Sequence, residues 1–185
     1  MVPLPISFYA RDTVKVARDL LGKSFQRTLG DQILYGYIIE TEAYRSDDPA
    51  CHAFRGLTKR TAPLFGEVGL TYVYLCYGIH YCLNIVARDS TVPAGGVLIR
   101  GIYQYSDTKT RQNGTIFDGP GKLAKSLSIT TEHIGLNVTH SKSELIISDA
   151  NIIPDSQVQI TPRIGITRGI DNLWRFRIQT PFLKK

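Results

Sequence analysis

Two stretches constrain most strongly what this chain can fold into: QILYGYIIETE at Gln32–Glu42 and LTYVYLCYGIHYCLNIVA at Leu70–Ala87. Both are crowded with β-branched and aromatic residues, which lose side-chain freedom in a helix and pack well on a pleated surface. The first run has the mixed periodicity of a strand with a buried portion. The second is interrupted at Gly78, where a glycine turns the chain between two strands. A further strand is predicted over Val97–Ile102, with shorter β-like runs at Glu144–Ile147 and Trp174–Ile178. Helical signals are fewer. Ala10–Gly22 offers an Asp12 or Thr13 cap, an apolar stripe and a Gly22 stop. The Asp118-Gly119-Pro120-Gly121 break precedes a helix predicted over Lys122–Leu127.

This alternation of strand-rich and helical segments predicts a mixed α/β (α+β) fold. The 185 residues suit one domain spanning 1–185, since no repeat, low-complexity block or linker divides them. Hydrophobic residues at 43% supply a core, and charged residues at 21% keep the surface wet, which excludes wholesale disorder. The opening Met1–Ile6 carries neither a basic leader nor a long apolar segment, so an intracellular location off the membrane is expected. That means cytoplasm or nucleoid in a prokaryote and nucleus in a eukaryote. The net charge of +6 and a pI near 9.3 favour a polyanionic partner or an anionic membrane without choosing between them. The three cysteines, Cys51, Cys76 and Cys82, form no zinc knuckle or disulfide framework and are expected to be buried thiols. His52, His80, His133 and His140 do not cluster, so no metal site is expected.

Chemistry concentrates in three places. An apolar strand ends in Glu40-Thr41-Glu42-Ala43-Tyr44, where alternation puts both carboxylates on one face. A carboxylate there can activate water; equally, either can face solvent or pair with an arginine. His52 follows a short polar loop and suits substrate orientation, proton transfer or a plain polar contact. In the second run, alternation places Tyr72 and Tyr74 on one face, while the bend at Gly78 projects Tyr77 or Ile79 outward. Such aromatics pack a core, stack on a base or wedge into a duplex. Arg55, Lys59 and Arg60 form a basic neighbourhood, followed by Arg88 and Arg100, all suited to phosphates or to a solvated surface. Gly119-Pro120-Gly121-Lys122 opens a helix whose amides can meet a phosphate, but it lacks the full P-loop, so ATP is not indicated.

These residues lie in motifs that together resemble the alkyladenine or 3-methyladenine DNA glycosylases, the methylpurine glycosylases of base-excision repair. The matches are ETEAY at 40–44, CHAF at 51–54, YVYLCYGIHYCLNI at 72–85, VLIRG at 97–101, GPGKL at 119–123 and PRIGI at 162–166. The resemblance implies a single domain around a curved antiparallel sheet, no cofactor or metal, a monomer, and damaged double-stranded DNA as partner. It implies monofunctional hydrolysis of the N-glycosidic bond of a flipped alkylated purine, leaving an abasic site. The lesions it implies are 3-methyladenine and 7-methylguanine, and also ethenoadenine and hypoxanthine, whose neutral bases need more help to leave. Glu42 would activate the catalytic water, Glu40 would support it, and Arg100 would hold the flipped nucleotide and its phosphate. Tyr44, His52 and Tyr74 would sandwich the base, Asn84 would line the pocket and disfavour guanine, and Tyr77 would intercalate in its place. Arg55, Lys59, Arg60, Ile79, Gly121 and Lys122 are candidates for DNA backbone contacts. Ile79 and His80 replace a Met and an aromatic of some relatives, and the long N-terminal extension of some vertebrate relatives is not expected here. Two other readings use the same residues: a nucleic-acid-binding module without catalysis, and a hydrolase of free nucleosides.

Overall fold

The computed structural model describes residues 1–105 and 114–179. In chain order the elements are α1 (Ile6–Tyr9), α2 (Thr13–Asp19), β1 (Ser24–Leu29), β2 (Gln32–Arg45), α3 (Ala62–Phe65), β3 (Thr71–Cys76), β4 (His80–Val86), β5 (Gly95–Tyr105), β6 (Thr115–Asp118), α4 (Pro120–Ser126), β7 (Leu145–Ser148), β8 (Val158–Thr161) and β9 (Arg175–Ile178). The strands make one antiparallel sheet with the order β3-β4-β5-β2-β1-β7; β6 joins β5, and β9, carrying β8, joins β2.

The long central strands β2 and β5 position everything else. Residues 36–43 of β2 are buried without interruption, because both faces are covered, and this is why the sequence periodicity there is mixed. The strand runs three residues beyond the predicted end at Glu42, to Arg45, and β5 extends beyond Val97–Ile102 at both ends. Their register slips around Glu40: Ile38 faces Ile102, Glu40 faces Gly101 and Thr41 faces Ile99. Ile39 and Arg100 therefore fall outside the ladder, and such bulges re-aim side chains.

The predicted helix over Ala10–Gly22 is shorter, Thr13–Asp19, and Asp12 caps it by accepting from the Val14 and Lys15 amides at 3.0 Å. Its buried Val16 and Ala17, with Leu20 and Leu21 just beyond, join Ile38, Ile99 and Leu123 in the main core. The helix predicted at Lys122 begins at Pro120, whose fixed φ suits a first turn. A smaller core of Cys51, Ala53, Leu64, Tyr72, Val86 and Ala94 lies under one end of the sheet, with Tyr44 and Tyr74 packed against it. Cys51 and Cys82 are buried, and burial pushes both thiols up to about 11. Cys76 departs from the expectation: it is only half-buried, at the hairpin end of β3.

Gly36 marks the tightest crossing in the sheet. A Cβ there would lie 2.2 Å from the Tyr103 carbonyl oxygen and 2.6 Å from the Phe25 ring. Because one obstacle is the backbone of the paired strand, Gly36→Ala is expected to lower the unfolding free energy by about 1–3 kcal/mol, read from the urea midpoint at constant m-value.

Candidate active site

Pairing across five strands sets the site in one row. Arg175 on β9 faces Glu42 on β2, Glu42 faces Leu98 on β5, Leu98 faces Asn84 on β4, and Asn84 faces Tyr72 on β3. Residues opposite one another in a ladder share a face, so the register delivers Glu42 and Asn84 to one side of the sheet. A cavity of about 530 Å³ opens over this row, and Tyr44, His52, Arg60, Tyr72, Tyr74, Asn84, Leu98, Arg100 and Ile164 are among its lining residues.

Glu42 is fully buried. Its Oε1 accepts from the Ile164 amide at 2.8 Å and lies 3.3 Å from Arg100 Nε, while its Oε2 accepts from the Tyr44 hydroxyl at 2.8 Å. Burial raises its pKa above the usual carboxylate range, with Arg100 and these two donors opposing the rise. The Tyr44 hydroxyl is pushed up by burial and by the Glu42 charge, which keeps it a donor. Glu40 shares the face, as the alternation predicts, and both carboxylates meet Arg100. Glu40 Oε1 takes a bond from Arg100 Nε at 3.0 Å and another from Arg175 Nε at 2.7 Å. Two carboxylates and two guanidiniums thus balance behind the cavity wall, which Arg100 lines.

The predicted pocket residues come together. The Tyr72 and Tyr74 rings lie 5.6 Å apart on one face but meet different fates: Tyr72 is buried in the smaller core, and Tyr74 is half-buried in the cavity wall. The His52 ring stands edge-on to Tyr74 at 4.6 Å. Its Nδ1 lies 3.0 Å from the Tyr72 hydroxyl and its Nε2 lies 3.4 Å from Arg60 Nη2. Arginine only donates, so Nε2 is the acceptor and Nδ1–H donates to Tyr72. The residue as a whole is exposed, yet desolvation against these rings, and then Arg60, holds its pKa below the ordinary histidine value. Asn84 is buried, and its Nδ2 donates to the Tyr72 and Cys82 carbonyls at 3.1 and 3.3 Å, which pins the amide in place.

Tyr77 and Gly78 form the tip of the β3–β4 hairpin with φ of 50° and 70°, closed by the Ile79 amide donating to the Cys76 carbonyl at 3.1 Å. A left-handed tyrosine is uncommon and projects its ring from the tip. Tyr77 is 85% exposed and Ile79 71%. Arg55 and Lys59 are exposed beside the cavity segment, and Arg60 lines the cavity itself. Lys122 is exposed and pairs with Asp118 at 2.9 Å. At Gly121 a Cβ would lie 2.8 Å from the His80 side chain, so α4 packs closely against the turn end of the hairpin.

Three contributors were not legible as site residues. The PRIGI segment, a motif without an assigned role, brings the Ile164 main-chain amide to Glu42, and a backbone donor leaves no side-chain signature. Arg163 from that segment is buried, bonds to Asp48 at 2.6 Å and stacks on Tyr44 at 4.8 Å. Arg175 reaches Glu40 only because β9 pairs with β2.

A profile of the methylpurine-DNA glycosylase (MPG) family matches residues 7–181. Among relatives assigned as 3-methyladenine DNA glycosylases, that of Sodalis glossinidius is 48% identical over 172 residues, 92% of this chain and 94% of the relative. That of Ehrlichia chaffeensis is 47% identical over 173 residues, 93% and 91% of the two chains. That of Rickettsia rickettsii (strain Sheila Smith) is 43% identical over 181 residues, 95% and 90%. With a family profile and relatives that each cover nine-tenths or more of the chain, the protein belongs to the methylpurine-DNA glycosylase family and is a DNA glycosylase of base-excision repair acting on alkylated purines.

Proposed function

We propose that this chain flips 3-methyladenine and 7-methylguanine out of duplex DNA and hydrolyses their N-glycosidic bonds, with Glu42 as the base. The observation that carries the reading is the fully buried Glu42 carboxylate, fixed by Ile164, Tyr44 and Arg100, three residues that line an aromatic-walled cavity. Water placed there donates a proton to Glu42 as its oxygen attacks C1′ of the sugar. The C1′–N9 bond breaks, its electron pair goes to the purine, and the positively charged alkylated base leaves neutral. Tyr44, His52 and Tyr74 hold the base, and the pinned Asn84 amide disfavours guanine through its exocyclic amino group, a contact that 7-methylguanine retains and that its better leaving group offsets. Arg100, whose Nε serves the carboxylates, directs its guanidinium to the nucleotide phosphate. Arg55, Lys59, Ile79, Gly121 and Lys122 supply backbone contacts around the hairpin. Damaged duplex DNA is the partner, a monomer is sufficient, and no metal enters the reaction. A module that only binds nucleic acid gains nothing from burying a carboxylate at this position.

The test uses labelled duplexes, each with a single lesion, followed by alkaline cleavage of newly formed abasic sites. Alkali-sensitive breaks at the lesion are expected, and a protein that binds every duplex but produces none overturns the reading. Tyr77 fills the space of the flipped nucleotide, and its loss leaves unstacking uncompensated. Tyr77→Ala is expected to weaken lesion binding and slow single-turnover excision together by about five- to 150-fold, the range for one lost aromatic stack. Unchanged binding and excision in that variant would remove the wedge from the account.

A further inference from the structure

Both aromatic walls of the cavity already face a guanidinium. Arg163 lies 4.8 Å from the Tyr44 ring centroid, and Arg60 lies 5.6 Å from that of Tyr74. A ring attracts a cation through its quadrupole, and a ring already facing one attracts a second less. The two arginines differ in what neutralises them. Arg163 is balanced by Asp48 and held by the Ala43 and Gly169 carbonyls. Arg100 and Arg175 are balanced by Glu40 and Glu42. Arg60 is exposed, and among the described residues no carboxylate pairs with it; its hydrogen bond is to His52 Nε2. An uncompensated positive charge therefore stands at the cavity mouth, aimed by His52 across the Tyr74 ring.

We infer that Arg60 is a specificity-determining residue that disfavours purines carrying a formal positive charge and favours neutral ones. The inference rests on the reading that this cavity takes the flipped base. Its logic lies in where the electron pair goes. When C1′–N9 breaks in a positively charged alkylated purine, the base leaves neutral, and a neighbouring cation only opposes its entry. When the same bond breaks in hypoxanthine, the pair leaves the purine negative until it gains a proton, and a fixed guanidinium stabilises that developing charge. Both effects shift selectivity the same way. Arg60 thus faces the base, whereas its sequence position alone suggested a phosphate contact.

The experiment compares the intact protein, Arg60→Gln and Arg60→Lys in single-turnover excision from otherwise identical duplexes carrying one 7-methylguanine or one hypoxanthine. In Arg60→Gln the ratio of the 7-methylguanine rate to the hypoxanthine rate is expected to rise by about three- to thirtyfold, the span of a cation–π-sized effect. Arg60→Lys, which keeps the charge, is expected to stay near the wild-type ratio. An equal slowing of both lesions in Arg60→Gln, with a shallower dependence of binding on salt, makes Arg60 a phosphate contact and overturns the inference. Wild-type protein that removes 7-methylguanine but no hypoxanthine also overturns it. Failure on both lesions, with the duplexes bound, instead overturns the glycosylase reading of the cavity.

Discussion

Glu42→Gln is expected to slow single-turnover excision of 7-methylguanine by roughly 10²–10⁴-fold, the usual contribution of a positioned general base, while leaving the fold at least as stable as the wild type. The two halves of this expectation have one cause. Burial raises the Glu42 pKa because the charged form has lost its water. The native state therefore holds this proton more tightly than the unfolded chain does. The resulting stabilisation is present below the unfolded pKa and is lost as pH rises through the raised folded value, so at neutral pH the ionised carboxylate is a cost. Glutamine retains an oxygen for the Ile164 amide and carries no charge to desolvate. Its thermal midpoint at neutral pH should equal or exceed that of the wild type, with a smaller loss of stability between acid and neutral pH. A markedly unstable variant would mean that the carboxylate holds the site together rather than driving its chemistry.

Wild-type excision needs Glu42 ionised. The rate should therefore fall on acidification through a pKa above the ordinary carboxylate range, in the direction opposite to the stability contribution of the same group. Activity and stability thus trade against each other at one side chain, as expected where a buried group is kept for its chemistry.

Arg163→Met is expected to lower the unfolding free energy by about 3–5 kcal/mol, because it leaves a buried anion without its partner. The side chains of Arg163 and Asp48 are 0% and 1% exposed. Arg163 Nη1 bonds to Asp48 Oδ2 at 2.6 Å and to the Ala43 carbonyl at 3.0 Å, and Nη2 bonds to the Gly169 carbonyl at 3.2 Å. Asp48 Oδ1 is itself buried without a hydrogen-bond partner, so the carboxylate depends on this one guanidinium. The contacts also tie the segment that follows β8 to the end of β2, where Glu42 lies. Adding Asp48→Asn should recover part of the loss in denaturant unfolding, since it removes the stranded charge. A loss below about 1 kcal/mol for Arg163→Met, the level of a surface ion pair, would show that the pair is not desolvated in solution.

The legible parts of this protein are those whose pattern is local. An aromatic run broken at Gly78 reads as a hairpin, and an apolar strand ending in two carboxylates reads as a site, because each signal lies within one segment. Strand β1 was missed for the opposite reason. Its sequence SFQRTL looks like a surface stretch, yet Arg27 is buried there, bonded to the Leu127 carbonyl and to Glu144. The four-residue strands β6 and β8 are too short for a pattern to stand out: β6 is fixed by the long β5, and β8 by the equally short β9, which is itself held by β2. The site divides similarly. Glu42, Tyr44, His52, Tyr74, Asn84 and Arg100 were named from sequence with the help of the family resemblance. Arg175 and the Ile164 amide reach Glu40 and Glu42, and Arg163 reaches Asp48, from more than a hundred residues away in the chain. Arg60 was visible as a charge but not as part of the cavity wall, which depends on how the His52 segment packs on β3.

The most direct measurement follows both products of one reaction: the free base released from a duplex carrying 3-methyladenine or 7-methylguanine, and the DNA strand before and after alkali. The account predicts free base in step with alkali-sensitive sites, an intact strand before alkali, and neither product with Glu42→Gln on the same timescale. Release of base by Glu42→Gln at the wild-type rate, or binding of the duplex with no base released by the wild type, would contradict it.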